Sequence, residues 1–150
     1  MIALIQRVSR AEVRIAGTGV ATISAGVLAL IGVVRGDDAG AAERLLERVL
    51  SYRVFADSAG KMNLSVRDTG GALLLVPQFT LAADTGQGTR AGFSTAAAPA
   101  DARRLFEHLL ECARASYAHV SAGVFGENMQ VSLINEGPVT FWLESSTTRA

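Results

Sequence analysis

Cysteine, histidine, lysine and proline are all scarce in this 150-residue chain, and each scarcity removes a class of answers. One cysteine, Cys112, leaves no disulfide framework and no thiolate zinc cluster within a chain. Two histidines, His108 and His119, argue against a histidine-rich metal centre, so no metal is expected. Neither histidine stands in a nucleophile motif. No Gly-x-Ser-x-Gly turn occurs, no Gly-x-Gly-x-x-Gly follows a strand, and there is no phosphate-binding loop, so no cofactor is expected. Charge of one sign is also missing. Fourteen basic residues balance fourteen acidic ones, which excludes coating of DNA or RNA by bulk electrostatics but leaves room for grip on a short RNA end. The basic residues are arginine except for Lys61, and they form no run or stripe. No apolar run is long enough for a bilayer: Val27 to Val34 is the best of them, and it is too short. The opening MIALIQRVSR carries charge by Arg7 and does not read as a signal peptide, so the expected address is the cytoplasm, with no membrane partner.

What is present is a core. A hydrophobic fraction of 49% with 19% charged residues describes a folded globular chain, and its length suits one domain spanning 1–150. Residues 1–9 read as a strand. Residues 12–15 and 20–24 read as a hairpin around the turn Ala16 to Gly19. "VLALIGVV" is continuously apolar, as a strand buried on both faces would be. Asp37-Asp38 offers a helix cap, and apolar residues at 42, 45, 46, 49 and 50 predict a helix over about 38–52. A strand, a turn at Ser58 to Lys61 and a short return follow, then "ALLLVPQFTL" as another strand. The Gly/Thr/Ala-rich stretch after it is an unusually long loop, of the kind that is often functional. Pro99 starts a second amphipathic helix to about 115, and strands at 117–123, 129–135 and 139–144 close the chain. This order predicts an α/β (α+β) fold with a mixed, curved or barrel-like sheet and two main helices.

Side chains suited to acid–base work are few. Cys112 falls on the apolar seam of the second helix, where an inert thiol is expected, and His108 on its polar face, where solvent is expected. Two stretches remain. In "VPQFTLAADT", Gln78 and Thr80 share one side of an extended chain, where an amide and a hydroxyl could hold a ligand carbonyl or hydroxyl. In "NEGPVT", Gly137-Pro138 interrupts two good strands. It is either an ordinary turn or a backbone shaped for a task, since two carbonyl oxygens pointing the same way can hold an ammonium group.

These stretches resemble the D-aminoacyl-tRNA deacylases, and the likeness runs the whole length. "MIALIQRVSRAEV" resembles the family's opening, "PQFTLAADT" its Ser-Gln-Phe-Thr motif, "FSTAAAP" its following loop, and "AGVFGENMQVSLINEGPVTFWLE" its C-terminal signature. The resemblance implies a homodimeric hydrolase that frees tRNA from D-amino acids, and glycine mischarged on alanine tRNA, at the 3′ end of aminoacyl-tRNA. It implies a cis Gly137–Pro138 whose backbone oxygens, inserted into the partner subunit's site, bind the substrate ammonium and reject L-amino acids. It places Gln78 and Thr80 at the ester and terminal ribose, with Phe79 shaping the pocket. Phe125 and Met129 would hold the terminal adenine, and Asn135 and Thr140 would fix the Gly-Pro loop. The RNA 2′-hydroxyl is implied to assist the attacking water. One departure stands out: Pro77 replaces the family's serine, which removes a hydroxyl and an N–H. It leaves two alternatives open, a relaxed deacylase that also cleaves L-alanyl-tRNA and a catalytically weakened RNA-binding dimer.

Overall fold

A computed structural model gives the structure of the chain and describes residues 1–147. Its frame is a six-stranded mixed sheet organised around one long strand. Strand β1 (Ile2–Ile15) pairs antiparallel with β2 (Thr18–Ile23) through its second half and with β3 (Gly26–Gly32) through its first half. Its other flank carries β8 (Gln130–Glu144) along nearly its full length. Strand β6 (Ala72–Pro77) adds parallel to β3, and β7 (Val120–Ala122) parallel to β6. A small hairpin, β4 (Phe55–Ala56) and β5 (Met62–Leu64), stands apart.

The alternation of side chains along the sheet builds two cores. Val27, Ala29 and Ile31 of β3 and Leu73 and Leu75 of β6 face the helices α1 (Ala39–Ser51) and α3 (Pro99–Ser116). Leu28, Leu74 and Val76 face the other way, into a second cluster with Val8, Ala11, Val13 and Ile23. The uninterrupted apolar runs of β3 and β6 follow from this burial on both faces. Strand β1 serves both cores. Ala3 and Ile5 join the helix side, whereas Val8, Ala11 and Val13 join the other. A register shift between Val8 and Arg10 leaves Ser9 as an extra residue, which keeps Ala11 and Val13 on the same face as Val8. Residues 1–9 and 12–15, separate strands in the sequence reading, are therefore one bent strand.

Both helices end close to where their sequences predict. The Asp38 carboxylate accepts from the Ala41 N–H at 2.8 Å as the cap of α1, and Pro99 opens α3. A single-turn helix, α2 (Val66–Thr69), was not foreseen. Ser65 and Asp68 form a reciprocal capping box around it.

Candidate functional site

Strand β6 stops at Pro77 because its neighbours stop. Pro77 stands opposite Ile31, and the Gln78 N–H makes a last ladder bond to the Ile31 carbonyl at 2.7 Å. The nitrogen of Pro77 points to the opposite side, where β7 pairs only as far as Ala122, so its missing N–H leaves no gap in the ladder. The chain then turns instead of staying extended. Phe79–Ala82 is a 3₁₀ helix closed by Leu81 N–H to the Gln78 carbonyl. The turn lies against Gly32, where a Cβ would come within 2.9 Å of Leu81 Cβ. Gln78 and Thr80 still meet, although not through strand alternation: Gln78 Nε2 donates to Thr80 Oγ1 at 2.5 Å.

Phe79 leaves this turn 58% exposed, a large share for a phenylalanine. Its ring leans on that of Phe93, 5.2 Å between centroids. The two rings help to line a cavity of about 620 Å³ whose other walls are the loop Val34 to Asp37 and the start of α3. That volume suits a small organic ligand. Gln78 and Thr80 do not line it. The long loop after the turn is tied down: Thr95 Oγ1 donates to the Ala82 carbonyl at 2.6 Å, and Arg35 N–H to the Thr95 carbonyl at 2.9 Å.

Met129 flanks the other side of Pro77. A Cβ on Gly123 would lie 2.7 Å from Met129 Sδ and 3.5 Å from Pro77 Cδ, so these three residues form one wall. Phe125 rests on Phe106, 6.3 Å between centroids, beneath the guanidinium of Arg103 at 4.9 Å.

The Gly-Pro stretch lies elsewhere in the chain. It is neither a hairpin turn nor the end of a strand. Gln6 pairs with Thr140 and Val8 with Asn135, so residues 136–139 all stand opposite Arg7 as a wide bulge within β8. The Gly137–Pro138 bond is cis, and both residues are exposed. Gly137 has φ +136°, a conformation that side-chain-bearing residues rarely adopt. Polar side chains brace the bulge from both ends. Asn135 Oδ1 accepts from Val139 N–H at 2.9 Å, and Asn135 Nδ2 donates to Thr140 Oγ1 at 2.8 Å. From β1, Arg7 Nε donates to the Glu136 carbonyl at 2.9 Å while its Nη1 donates to the Val54 carbonyl at 2.7 Å.

Comparison with known proteins decides what this arrangement belongs to. The family model described as D-Tyr-tRNA(Tyr) deacylase matches residues 4–144. The chain belongs to the D-Tyr-tRNA(Tyr) deacylase family. The D-aminoacyl-tRNA deacylase of Thioalkalivibrio sulfidiphilus is 61% identical over 144 residues, covering 96% of this chain and 97% of that one. The Alkalilimnicola ehrlichii protein of the same name is 59% identical over 150 residues, all of both chains. Among solved structures, one titled c-Myc DNA Unwinding Element Binding Protein superposes with a TM-score of 0.93 at 35% identity, over 98% of this chain and 100% of the other. A probable eukaryotic D-amino acid tRNA deacylase superposes at 0.82 and 15% identity, over 95% and 98%, a likeness of fold. This deacylase therefore hydrolyses the ester of D-aminoacyl-tRNA.

Within the deacylase, three positions of evident structural weight escaped the sequence reading. Arg7 has no local signal, because its partners lie far along the chain at Val54 and Glu136. Phe93 is one residue of the long loop, and only the fold sets it against Phe79. Arg103 reads as an ordinary surface arginine on α3 until Phe125 is placed beneath it. The titratable residues of α3 also sit differently from expectation. His108 is only partly exposed and meets both Glu43 of α1 and Cys112. Burial pushes the Cys112 thiol up, and Glu43 and Glu111 push it the same way, so it is not poised as a nucleophile. Glu43, His108 and Cys112 are the described residues that could hold a metal. Among the described residues no helix is long and apolar enough to cross a membrane.

Proposed function

We propose that each active site of this deacylase is completed by a second copy of the chain, whose Gly137–Pro138 judges the handedness of the amino acid. The observation that carries this reading is the separation of the two stretches. Gly137–Pro138 stands opposite Arg7, which is level with Val27, whereas Gln78 follows the residue opposite Ile31. From β8 through β1 and β3 to β6 is three strand spacings of about 4.8 Å, with a further offset along the strands. A two-fold pairing removes that separation, because each copy then offers its bulge to the other's pocket. The strand that carries the bulge is suited to such pairing. Among the described residues it pairs only with β1, and it exposes Ile134 (51%) and Trp142 (49%).

In this reading the backbone oxygens of Gly137 and Pro138 accept from the substrate's α-ammonium, which carries three donors. A D-amino acid or glycine then fits, and an L side chain collides with the selector. The contact involves no enzyme side chain, so one site serves many D-residues and also glycine mischarged on alanine tRNA. Phe125 and Met129 hold the 3′ adenine, Gln78 and Thr80 meet the ester and ribose, and Phe79 shapes the pocket between. Asn135 and Thr140 keep the selector in place. Gln78 and Thr80 have no proton that titrates near neutrality, so the RNA's own 2′-hydroxyl assists the water that attacks the ester carbon, and backbone N–H groups hold the oxyanion. The ester C–O bond to the ribose breaks, releasing free D-amino acid and tRNA. This is chiral proofreading in the cytoplasm, carried out by a homodimer of single-domain chains.

The test is single-turnover hydrolysis of D- and L-tyrosyl-tRNA side by side. The D-ester is expected to be cleaved and the L-ester to survive; an enzyme that spares both contradicts the reading. Mixed dimers test the shared site. Gln78→Ala and Gly137→Ala chains, each at least about tenfold impaired alone, should regain about a quarter of wild-type activity when unfolded and refolded together, since half the dimers are mixed and each has one intact site. Pro77 favours a second reading, since it leaves neither hydroxyl nor N–H at that point of the wall. Cleavage of L-alanyl-tRNA at a rate near that of D-alanyl-tRNA would establish it.

A further inference from the structure

Glu43 and His108 are 65 residues apart in sequence, yet the packing of α1 against α3 joins them. His108 and Cys112 lie one turn apart on α3 and so project from the same face. Glu43 reaches that face from α1. Its Oε1 is 3.0 Å from His108 Nε2, Cys112 Sγ is 3.6 Å from the same nitrogen, and all three atoms fall within 4.8 Å of one another. None of the three lines the cavity beside Phe79.

We propose that Glu43, His108 and Cys112 form a binding site for a thiophilic divalent ion of the zinc class, which clips α1 to α3. Zinc bonds of about 2.0–2.1 Å to nitrogen or oxygen and about 2.3 Å to sulfur, set at tetrahedral angles, span about 3.6 Å from N to S and about 3.3 Å from N to O. The distances of 3.6 and 3.0 Å already match those edges to within a few tenths of an ångström. The donor set is selective. Thiolate and imidazole suit zinc and neighbouring transition ions, whereas calcium and magnesium prefer oxygen alone. Thiolate and carboxylate together balance two positive charges. The site is also open: the His108 side chain is 34% exposed and that of Glu43 58%, which gives an ion a way in and a water the fourth position. Binding displaces the thiol proton to solvent, because the thiolate is the ligand, and the raised pKa of Cys112 makes that displacement harder.

The experiment titrates chelator-stripped, reduced protein with cobalt(II) chloride and follows the thiolate-to-cobalt charge-transfer absorption in the near ultraviolet. One saturable site per chain is expected, with the band displaced by zinc chloride. Cys112→Ser should abolish the band. His108→Ala and Glu43→Gln should each weaken binding at least about tenfold, and none of the three side chains is fully buried, so the variants are expected to fold. Zinc should raise the melting temperature of the wild type and leave that of Cys112→Ser unchanged. No charge-transfer band at millimolar cobalt, or a zinc affinity unaltered in both Cys112→Ser and His108→Ala, overturns the proposal.

Discussion

Replacing Arg7 by methionine keeps an aliphatic stem of similar length and removes the guanidinium that spans two carbonyls. The Nε–Glu136 and Nη1–Val54 bonds are 2.9 and 2.7 Å long and tie the bulge of β8 to the segment after α1. Bonds of this charged type contribute about 1.5–3 kcal/mol each. Arg7 is half-buried and its bond to Glu136 is exposed, so the lower end applies. The expected cost to folding is therefore about 2–3 kcal/mol, read as a lower urea midpoint with an unchanged slope. Activity should fall as well. Fixing one backbone residue costs about 1–2 kcal/mol, and the bulge has four residues opposite Arg7. If the substrate must supply about 2 kcal/mol of that ordering, hydrolysis of D-tyrosyl-tRNA slows about 30-fold. Arg7→Lys offers a point charge without the fork, reaches one carbonyl at a time, and should fall between the two. An Arg7→Met enzyme with wild-type rate and wild-type urea midpoint would refute the view that this side chain holds the bulge in working shape.

Gln78→Ala removes the bond to Thr80 at a site near the surface, so folding stability should change by less than about 0.5 kcal/mol while D-tyrosyl-tRNA hydrolysis falls at least about tenfold. A wild-type rate would remove Gln78 from the site. Gly32→Ala places a methyl 2.9 Å from Leu81 Cβ and 3.4 Å from the Gln78 carbonyl oxygen, displacing the 3₁₀ turn at a cost of about 1–3 kcal/mol. Lower kcat with a shifted Phe79 in the variant's crystal structure is expected, and an unmoved turn contradicts it. The Asp68 carboxyl is held below its ordinary 3.8, chiefly by the Ser65 N–H and then by the Ser65 hydroxyl. A lowered folded pKa means that its stabilisation is complete above the ordinary value and is lost as pH falls through the folded one. The stability gap between wild type and Asp68→Asn should thus be constant from neutrality to about pH 4.5 and shrink below pH 3.8. A gap that persists at pH 2 would show that the cap does not depend on the carboxylate charge.

Local patterns were enough for the elements whose causes are local. The apolar spacing of residues 42 to 50 and the Asp38 cap give α1, and Pro99 gives the start of α3. The unbroken runs of β3 and β6 announce burial on two faces. What escaped depends on partners distant in sequence. Residues 78–80 look extended because nothing nearby shows that Gly32 leaves room for the turn. Gly137–Pro138 looks like a break between strands because the pairing that makes it a bulge is with Gln6 and Val8. His108 looks solvated on a helical wheel, and only α1 supplies Glu43. The stretches around Gln78 and Gly137 stood out in the sequence, but the three strand spacings between them did not.

The pairing of β1 with β8 has a consequence for how the molecule is made. Ile2 meets Glu144 and Arg14 meets Gln130, so β1 leaves the ribosome long before its partner β8. At about 5–20 residues per second, that flank of β1 stays bare for on the order of ten seconds. Contacts of such sequence separation also slow folding. Throughout that interval Arg7 has no bulge to hold, so a nascent chain can complete its helices and most of its sheet before the Gly137–Pro138 bulge exists.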